Sequence, residues 1–170
     1  MDIRLGQPTD IYNLISINHK WQRHLLNNNK NGFLSASFDF PTFDTLINNG
    51  EIVVAYNDLI LAGYYLINNY SQDGVLKIHK QIVDSLKTKE VIPHNSKVGL
   101  GAQALVDIEY QGTGLRSLML NELTLALKNK FDFLFSTISK ENPRAFKGHT
   151  KDGWIVVEED ENVYSVILKV

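Results

Sequence analysis

Val106-Asp107-Ile108-Glu109-Tyr110-Gln111-Gly112-Thr113-Gly114-Leu115-Arg116-Ser117 decides how the rest of the chain is read. Before it, Val98 to Ile108 reads as one long strand. After it, Leu115, Leu118, Met119, Leu123, Ala126 and Leu127 recur as the apolar face of an amphipathic helix. Gly112 and Gly114 let the backbone turn tightly and come close to a ligand, and the amides of a helix N-terminus form a ready cradle for pyrophosphate. Glycine is also common in ordinary strand-to-helix turns, so this spacing alone leaves phosphate binding and a plain turn both open. A P-loop is excluded, because no Lys follows either glycine. A dinucleotide-binding fold fails on architecture: about a hundred residues of unlike topology precede the turn, and too few remain for its parallel sheet. The run Gly99-Leu100-Gly101-Ala102-Gln103-Ala104 fails too, since the strand Ala104-Leu105-Val106 follows it instead of a helix.

Working outward, Ile3-Arg4-Leu5 reads as a short strand. Pro8-Thr9 opens a helix with Thr9 as its cap and Asp10 in its first turn, where the helix dipole favours negative charge. Ile11, Leu14, Ile15, Trp21 and Leu25 carry this helix to Asn27-Asn28-Asn29. Pro41-Thr42 starts a second helix that ends at Asn48-Asn49-Gly50. Ile52 to Tyr56 and Leu59 to Ile67 form a hairpin through Asn57-Asp58. Ser71 to Asn95 is less regular, with helical spacing at Val75, Ile78, Ile82, Val83 and Leu86. Phe131 to Ile138 is an aromatic-rich strand, Asn142 to Asp152 a helix ended by Gly153, and Trp154 to Val157 with Val163 to Val170 a closing hairpin. The order β-α-α-β-β-(α)-β-α-β-α-β-β is a mixed α/β sandwich.

Composition sets the class. The 170 residues are 44% hydrophobic and 21% charged, ordinary for one globular domain. Seventeen Lys+Arg against nineteen Asp+Glu give a net charge of −2, which argues for no nucleic-acid partner. There is no cysteine, hence no disulfide, thiolate metal site or Cys nucleophile, and the compartment expected is the cytoplasm. No apolar run approaches the ~20 residues of a membrane span, and the N-terminus MDIRLGQPTD carries no signal-peptide pattern.

Two spaced blocks carry a family resemblance. Val106 to Leu115 resembles the V-x-P-x-x-[RQ]-G-x-G-[IL] signature of the GNAT superfamily, the acyl-CoA-dependent N-acyltransferases. Asn142-Pro143-Arg144-Ala145-Phe146-Lys147-Gly148-His149-Thr150-Lys151-Asp152-Gly153-Trp154 is similar to that family's N-x-x-[AS]-x-x-x-[YH]-x-x-x-G-[FW] element. Ile3-Arg4, the hairpin with Gly63 and the final hairpin also sit where the family has them, so the resemblance spans nearly the whole chain. Ile108 stands where proline is usual and Arg116 where Gly or Ala is preferred.

The resemblance implies a single N-acetyltransferase domain over 1–170. Its mixed, mostly antiparallel sheet of six to seven strands would be flanked by helices, with a cofactor groove between the fourth and fifth strands. The co-substrate would be acetyl-CoA, with no metal, and the acceptor a small-molecule or peptide amine; a homodimer is compatible with the sequence. The backbone of Ala104, Leu105 and Val106 would pair with the pantetheine arm. Gln111, Gly112, Thr113, Gly114, Leu115, Arg116 and Ser117 would hold the pyrophosphate, with the Arg116 guanidinium pairing with phosphate rather than crowding it. Asn142 would contact the CoA end of the site, or cap its helix, or do both. His149 is expected to protonate the departing thiolate, with Asp152 or Glu141 as neighbours to support its charge; the bland reading is a surface helix residue or one that only packs. The 71–97 segment is the chain's own elaboration and is expected to border the acceptor side.

The general base is the gap. The family often places a Glu five residues before the Asn, where this chain has Thr137; Gln103 and Asp107 flank the strand end without the profile of a base. Asp39 and Asp44 read as attractors for a cationic amine or as solvated loop carboxylates. The acidic turn Glu158-Glu159-Asp160-Glu161 reads as a soluble hairpin tip. His19 and His24 are ~140° apart around a helix and His79 and His94 lack sequence neighbours of ligand type, so the histidines offer no metal site. Thr137 and Arg116 keep a second reading open, a non-catalytic acyl-CoA-binding module.

Overall fold

The computed structural model describes residues 1–28, 30–69 and 74–170. Asn29 of the Asn-rich break and Ser71 to Asp73, where the less regular segment begins, lie outside the described residues. Residue contacts divide the chain into two compact units, Met1–Leu66 with Gln103–Leu127, and Ile67–Ala102 with Lys128–Val170.

The first unit is built on the sheet β1 (Asp2–Leu5), β2 (Ile52–Asn57), β3 (Ile60–Ile67) and β5 (Ala102–Val106), in the order β1-β2-β3-β5. The hairpin β2–β3 is antiparallel and turns through Asp58 at φ 53, as Asn57-Asp58 predicts. Helices α1 (Ile11–Lys20) and α2 (Phe40–Asn48) share a core with this sheet through Ile11, Leu14, Phe43, Leu46, Tyr64 and Leu105. Helix α4 (Leu115–Leu127) packs across β1 and β2. A Cβ at Gly63 would run into the Leu105 carbonyl oxygen and approach Met119 Cε to 3.2 Å, so glycine lets β3 lie close against β5 there.

Three local readings need correction. Thr9 does not cap α1: a 3₁₀ turn, Pro8–Asp10, precedes the helix, and the Asp10 carboxylate accepts the Gln7 N–H at 2.8 Å. Arg4 clamps the same carboxylate at 2.7 and 3.0 Å. Helix α1 stops at Lys20 instead of reaching Asn27, because Leu34 donates to the Trp21 carbonyl (2.8 Å) and accepts from Arg23 N–H (3.1 Å). The strand read over 98–108 is broken at Gly101, whose φ of +67 no strand can carry.

The break sends β4 (Val98–Gly99) into a different sheet, ordered β4-β6-β8-β7, with β6 (Phe133–Ser139), β7 (Ile155–Glu159) and β8 (Val163–Lys169). Among the described residues the strands therefore number eight, in two four-stranded sheets, where six to seven were expected. Pairing is antiparallel in β6–β8 and β7–β8 and parallel in β4–β6. Helix α3 (Gly74–Thr88) realises the helical spacing of the 71–97 segment and buries Leu76, Val83 and Leu86 against Phe135 and Ile167. Helix α5 (Pro143–Lys151) stacks Phe146 on Tyr164 at 4.2 Å. Tyr164 and Ile167 are three apart on one strand, so α3 and α5 cover opposite faces of this sheet. At the acidic tip, Asp160 accepts from Asn162 N–H (2.7 Å) and Val163 N–H (2.8 Å), which makes it a turn former.

Candidate functional site

In the first unit the expected cofactor residues form one continuous feature. Strand β5 is last in its sheet's order, so among the described residues one backbone edge of Ala104, Leu105 and Val106 has no strand beside it in that sheet. Its end is sealed by Asp107, whose N–H donates to the Ala62 carbonyl at 2.8 Å. A 3₁₀ turn, Ile108–Tyr110, follows, and the Ile108 N–H donates to Asp107 Oδ1 at 2.9 Å. Proline at 108 has no such N–H; the departure from the signature is thus a working hydrogen bond. Gln111 Nε2 donates to the Val106 carbonyl (3.0 Å) and the Asn31 carbonyl (3.3 Å), bracing the turn, and Thr113 Oγ1 donates to the Tyr110 carbonyl (2.7 Å).

Gly112 and Gly114 then take φ of +83 and +84, and a Cβ added to either would meet nothing within 4 Å. The turn is exposed at 112–114, Leu115 anchors α4 in the core, and Arg116 and Ser117 are half-buried. Leu118 N–H donates to the Gly114 carbonyl at 3.2 Å, so the amides ahead of it belong to the helix's N-terminal end. Positive φ without crowding leaves open room in front of that end, where the helix dipole favours an anion. These residues fit a pyrophosphate.

The carboxylates and amides near β5 are occupied. Asp107 accepts from Lys20 Nζ at 2.8 Å and Trp21 Nε1 at 3.0 Å. Burial pushes its carboxyl up, but Lys20, the Ile108 amide and the Trp21 indole outweigh that and hold it below the ordinary carboxylate value. Gln103 Oε1 accepts from Tyr64 OH (2.7 Å), which accepts from Asn18 Nδ2 (2.8 Å). Burial raises the Tyr64 phenol well above its usual value, so it stays neutral. Asp39 is the cap of α2, accepting from Thr42 N–H (3.0 Å) and Oγ1 (2.6 Å), and Asp44 accepts from Asn48 Nδ2 (3.2 Å). A surface pocket of about 260 Å³ beside the turn has Trp21, Leu26 and Ile108 among its walls and Asn27, Asn28 and Asn31 among its amides.

In the second unit, Asn142 caps α5: its Oδ1 accepts from Ala145 N–H at 3.1 Å. His149, on the last turn of α5, is 7% exposed and so is not a surface helix residue. Its Nδ1 lies 2.8 Å from the Ala145 carbonyl, a contact that requires Nδ1 to carry the hydrogen. The imidazole meets the Trp154 ring edge-on at 5.2 Å. The buried Trp154 Nε1–H has no hydrogen-bond partner among the described residues. On the other face of the sheet, His79 Nε2 lies 3.0 Å from Thr137 Oγ1, a pairing the sequence reading missed. Among the described residues no group of three or more His, Cys, Asp or Glu is placed to hold a metal ion.

The chain has the fold of the GNAT-family acetyltransferases. A GNAT-family acetyltransferase from Listeria monocytogenes superposes at TM-score 0.68 with 16% identity, over 99% of this chain and 94% of that one. One from Streptococcus pneumoniae gives 0.65 with 17% identity over 99% and 98%. A Salmonella typhimurium protein described as an acetyltransferase and solved with its cofactor acetyl-CoA gives 0.63 with 14% identity over 99% and 93%. No protein-family model matches the sequence, and no curated protein matches it.

Proposed function

We propose that this protein is an N-acetyltransferase, a single domain over 1–170, that moves an acetyl group from acetyl-CoA to the primary amine of a small molecule or peptide. The carrying observation is the Gly112–Gly114 turn, two positive-φ glycines with open space before the N-terminus of α4, on a fold shared with acetyltransferases. Acetyl-CoA supplies an activated thioester. Gln111 to Ser117 hold its pyrophosphate, with Arg116 adding a guanidinium at the start of α4. The backbone of Ala104, Leu105 and Val106 lies on a strand edge that an extended amide-bearing chain can join as another strand would. Asn142, which caps α5, is assigned contact with CoA on the strength of the motif it opens. His149 gives a proton to the departing sulfur: with Nδ1–H fixed on the Ala145 carbonyl, Nε2 is the atom that donates when the ring is cationic.

The absence of a cysteine favours direct attack of the amine in a ternary complex over a covalent acyl-enzyme. It also suits the reducing cytoplasm, where we place this activity. No helix of the described residues is long and apolar enough to cross a membrane.

The test is thiol release from acetyl-CoA across spermidine, lysine and an alanine-leading tetrapeptide, read beside calorimetry with CoA. Release with at least one amine is expected. CoA binding without release for any amine would instead support a non-catalytic acyl-CoA-binding module. No heat at millimolar CoA would remove both readings.

A further inference from the structure

Beside the glycine turn the chain becomes cationic. No acidic residue lies between Asp10 and Asp39, while Lys20, Arg23 and Lys30 all fall in that stretch of a protein whose net charge is −2. The stretch runs from the end of α1 towards α2 and walls the pocket of about 260 Å³ next to Ile108. The pocket and the turn both lie within the first unit.

Two braces build the pocket onto the turn. The Asp107 carboxylate holds three of its walls at once. It accepts from Lys20 Nζ at 2.8 Å on each oxygen, from Trp21 Nε1 at 3.0 Å and from the Ile108 N–H at 2.9 Å. Gln111, the first residue of the cradle, holds a fourth by donating to the Asn31 carbonyl at 3.3 Å. At the rim, Asn28 Oδ1 accepts the Lys30 N–H at 3.1 Å. The lining is of two kinds. Trp21, Leu26 and Ile108 are apolar, and Ile108 is left 50% exposed. Lys20 brings an ammonium on a side chain 57% exposed, with a third hydrogen beyond the two that Asp107 takes. The asparagine amides both donate and accept.

We propose that this pocket receives the 3′-phosphoadenosine end of CoA, the purine against Trp21, Leu26 and Ile108 and the 3′-phosphate on Lys20. The proposal rests on the acetyltransferase reading, and within it on Gln111 to Ser117 as the pyrophosphate cradle. In CoA the pyrophosphate joins the pantoyl arm to the adenosine, so a recess next to the cradle is reached first by one of those two groups. Charge decides between them. The pantoyl group is uncharged, whereas the 3′-phosphate is close to a dianion at neutral pH and meets a segment that carries only positive charge. Size agrees, since the pocket falls below the about 300–1,000 Å³ of a site for a whole drug-sized ligand and suits a ring system. The acetyl group sits at the far end of the arm from the pyrophosphate, so this recess is not the place of the acceptor.

The experiment measures binding of CoA, 3′-dephospho-CoA and 4′-phosphopantetheine by calorimetry, for the wild type, Lys20→Met, Asn28→Asp and Ile108→Ala, with melting temperatures alongside. The wild type is expected to bind CoA about tenfold tighter than dephospho-CoA, as one charge-assisted hydrogen bond provides. Asn28→Asp keeps an acceptor for the Lys30 N–H while adding a negative charge at the rim. It and Lys20→Met should each weaken CoA by about fivefold or more and leave dephospho-CoA within about twofold. Ile108→Ala should weaken both adenosine-bearing ligands by about threefold or more and leave 4′-phosphopantetheine within about twofold. Equal wild-type affinity for CoA and dephospho-CoA would overturn the proposal while leaving the cradle and the acetyltransferase reading in place. So would folded variants that weaken 4′-phosphopantetheine as much as CoA, because the pantoyl arm would then fill the pocket. A wild type that binds none of the three ligands at millimolar concentration removes the cradle itself, and this proposal with it.

Discussion

His149 shows how much one side chain's surroundings alter its reading. On the helix wheel it is an ordinary late-turn histidine; in the structure it is buried, tied by Nδ1 to its own helix and stacked edge-on against Trp154. That tie removes one nitrogen from chemistry and orients the other. If Nε2 is the acid, His149→Phe lowers kcat by roughly a hundredfold or more while CoA affinity stays within a few-fold, and His149→Tyr recovers part of the rate. If His149 only packs, the Phe variant keeps more than about a third of kcat and the change falls on CoA affinity. Gly63 makes the complementary point: its value lies in having no Cβ, because the Leu105 carbonyl oxygen fills that space.

At the scale of elements, the turn before α4 depends on backbone conformation more than on side chains. Gly114 at φ +84 is in a region that costs a branched residue about 1–2 kcal/mol. Gly114→Val therefore lowers the melting temperature by a few degrees and weakens CoA binding more than tenfold. Gly114→Asn separates the two effects, since Asn tolerates positive φ. The fold should stay near wild type while the added side chain, standing in the open space, still weakens CoA in calorimetry; unchanged affinity would move the cradle elsewhere. Helix α3 is equally a structural element, because Leu76, Val83 and Leu86 belong to the core of the second unit. Point substitutions, not removal of 71–97, are thus the way to ask what it does for the acceptor.

For the whole molecule, two paired carboxylates set the response to acid. Burial pushes Asp10 up, but the Arg4 bond, the Gln7 amide and the Arg4 charge bring it below its ordinary value, and Asp107 ends below its own in the same way. Both folded values lie under the unfolded one of ~3.9. Each pair thus contributes stability that is present above that value and is lost as pH falls through the lowered folded value. Urea unfolding should give a stability that is level from pH 7 to about 5 and drops below about 4. Asp10→Asn should cost about 2–3 kcal/mol at pH 7 and flatten the acid drop. A slope unchanged by Asp10→Asn would remove Asp10 from the account.

The sequence by itself determined the element order apart from the strand over 98–108, the hairpin at Asn57-Asp58, the cap at Asn142 and the glycine turn into α4. Each depends on residues within a few positions of one another, where propensity, capping and positive φ act. The tertiary structure alone decided the stop of α1 at Lys20, where Leu34 takes the Trp21 carbonyl, and the division of 98–106 between two sheets at Gly101. It also decided that Asp107 is spent on Lys20, that His149 is buried, and that His79 meets Thr137 across 58 residues of chain. Hydrogen-bond partners and desolvation come from segments distant in sequence. A residue's neighbours along the chain therefore do not reveal whether its polar atoms are satisfied, locked or available for chemistry.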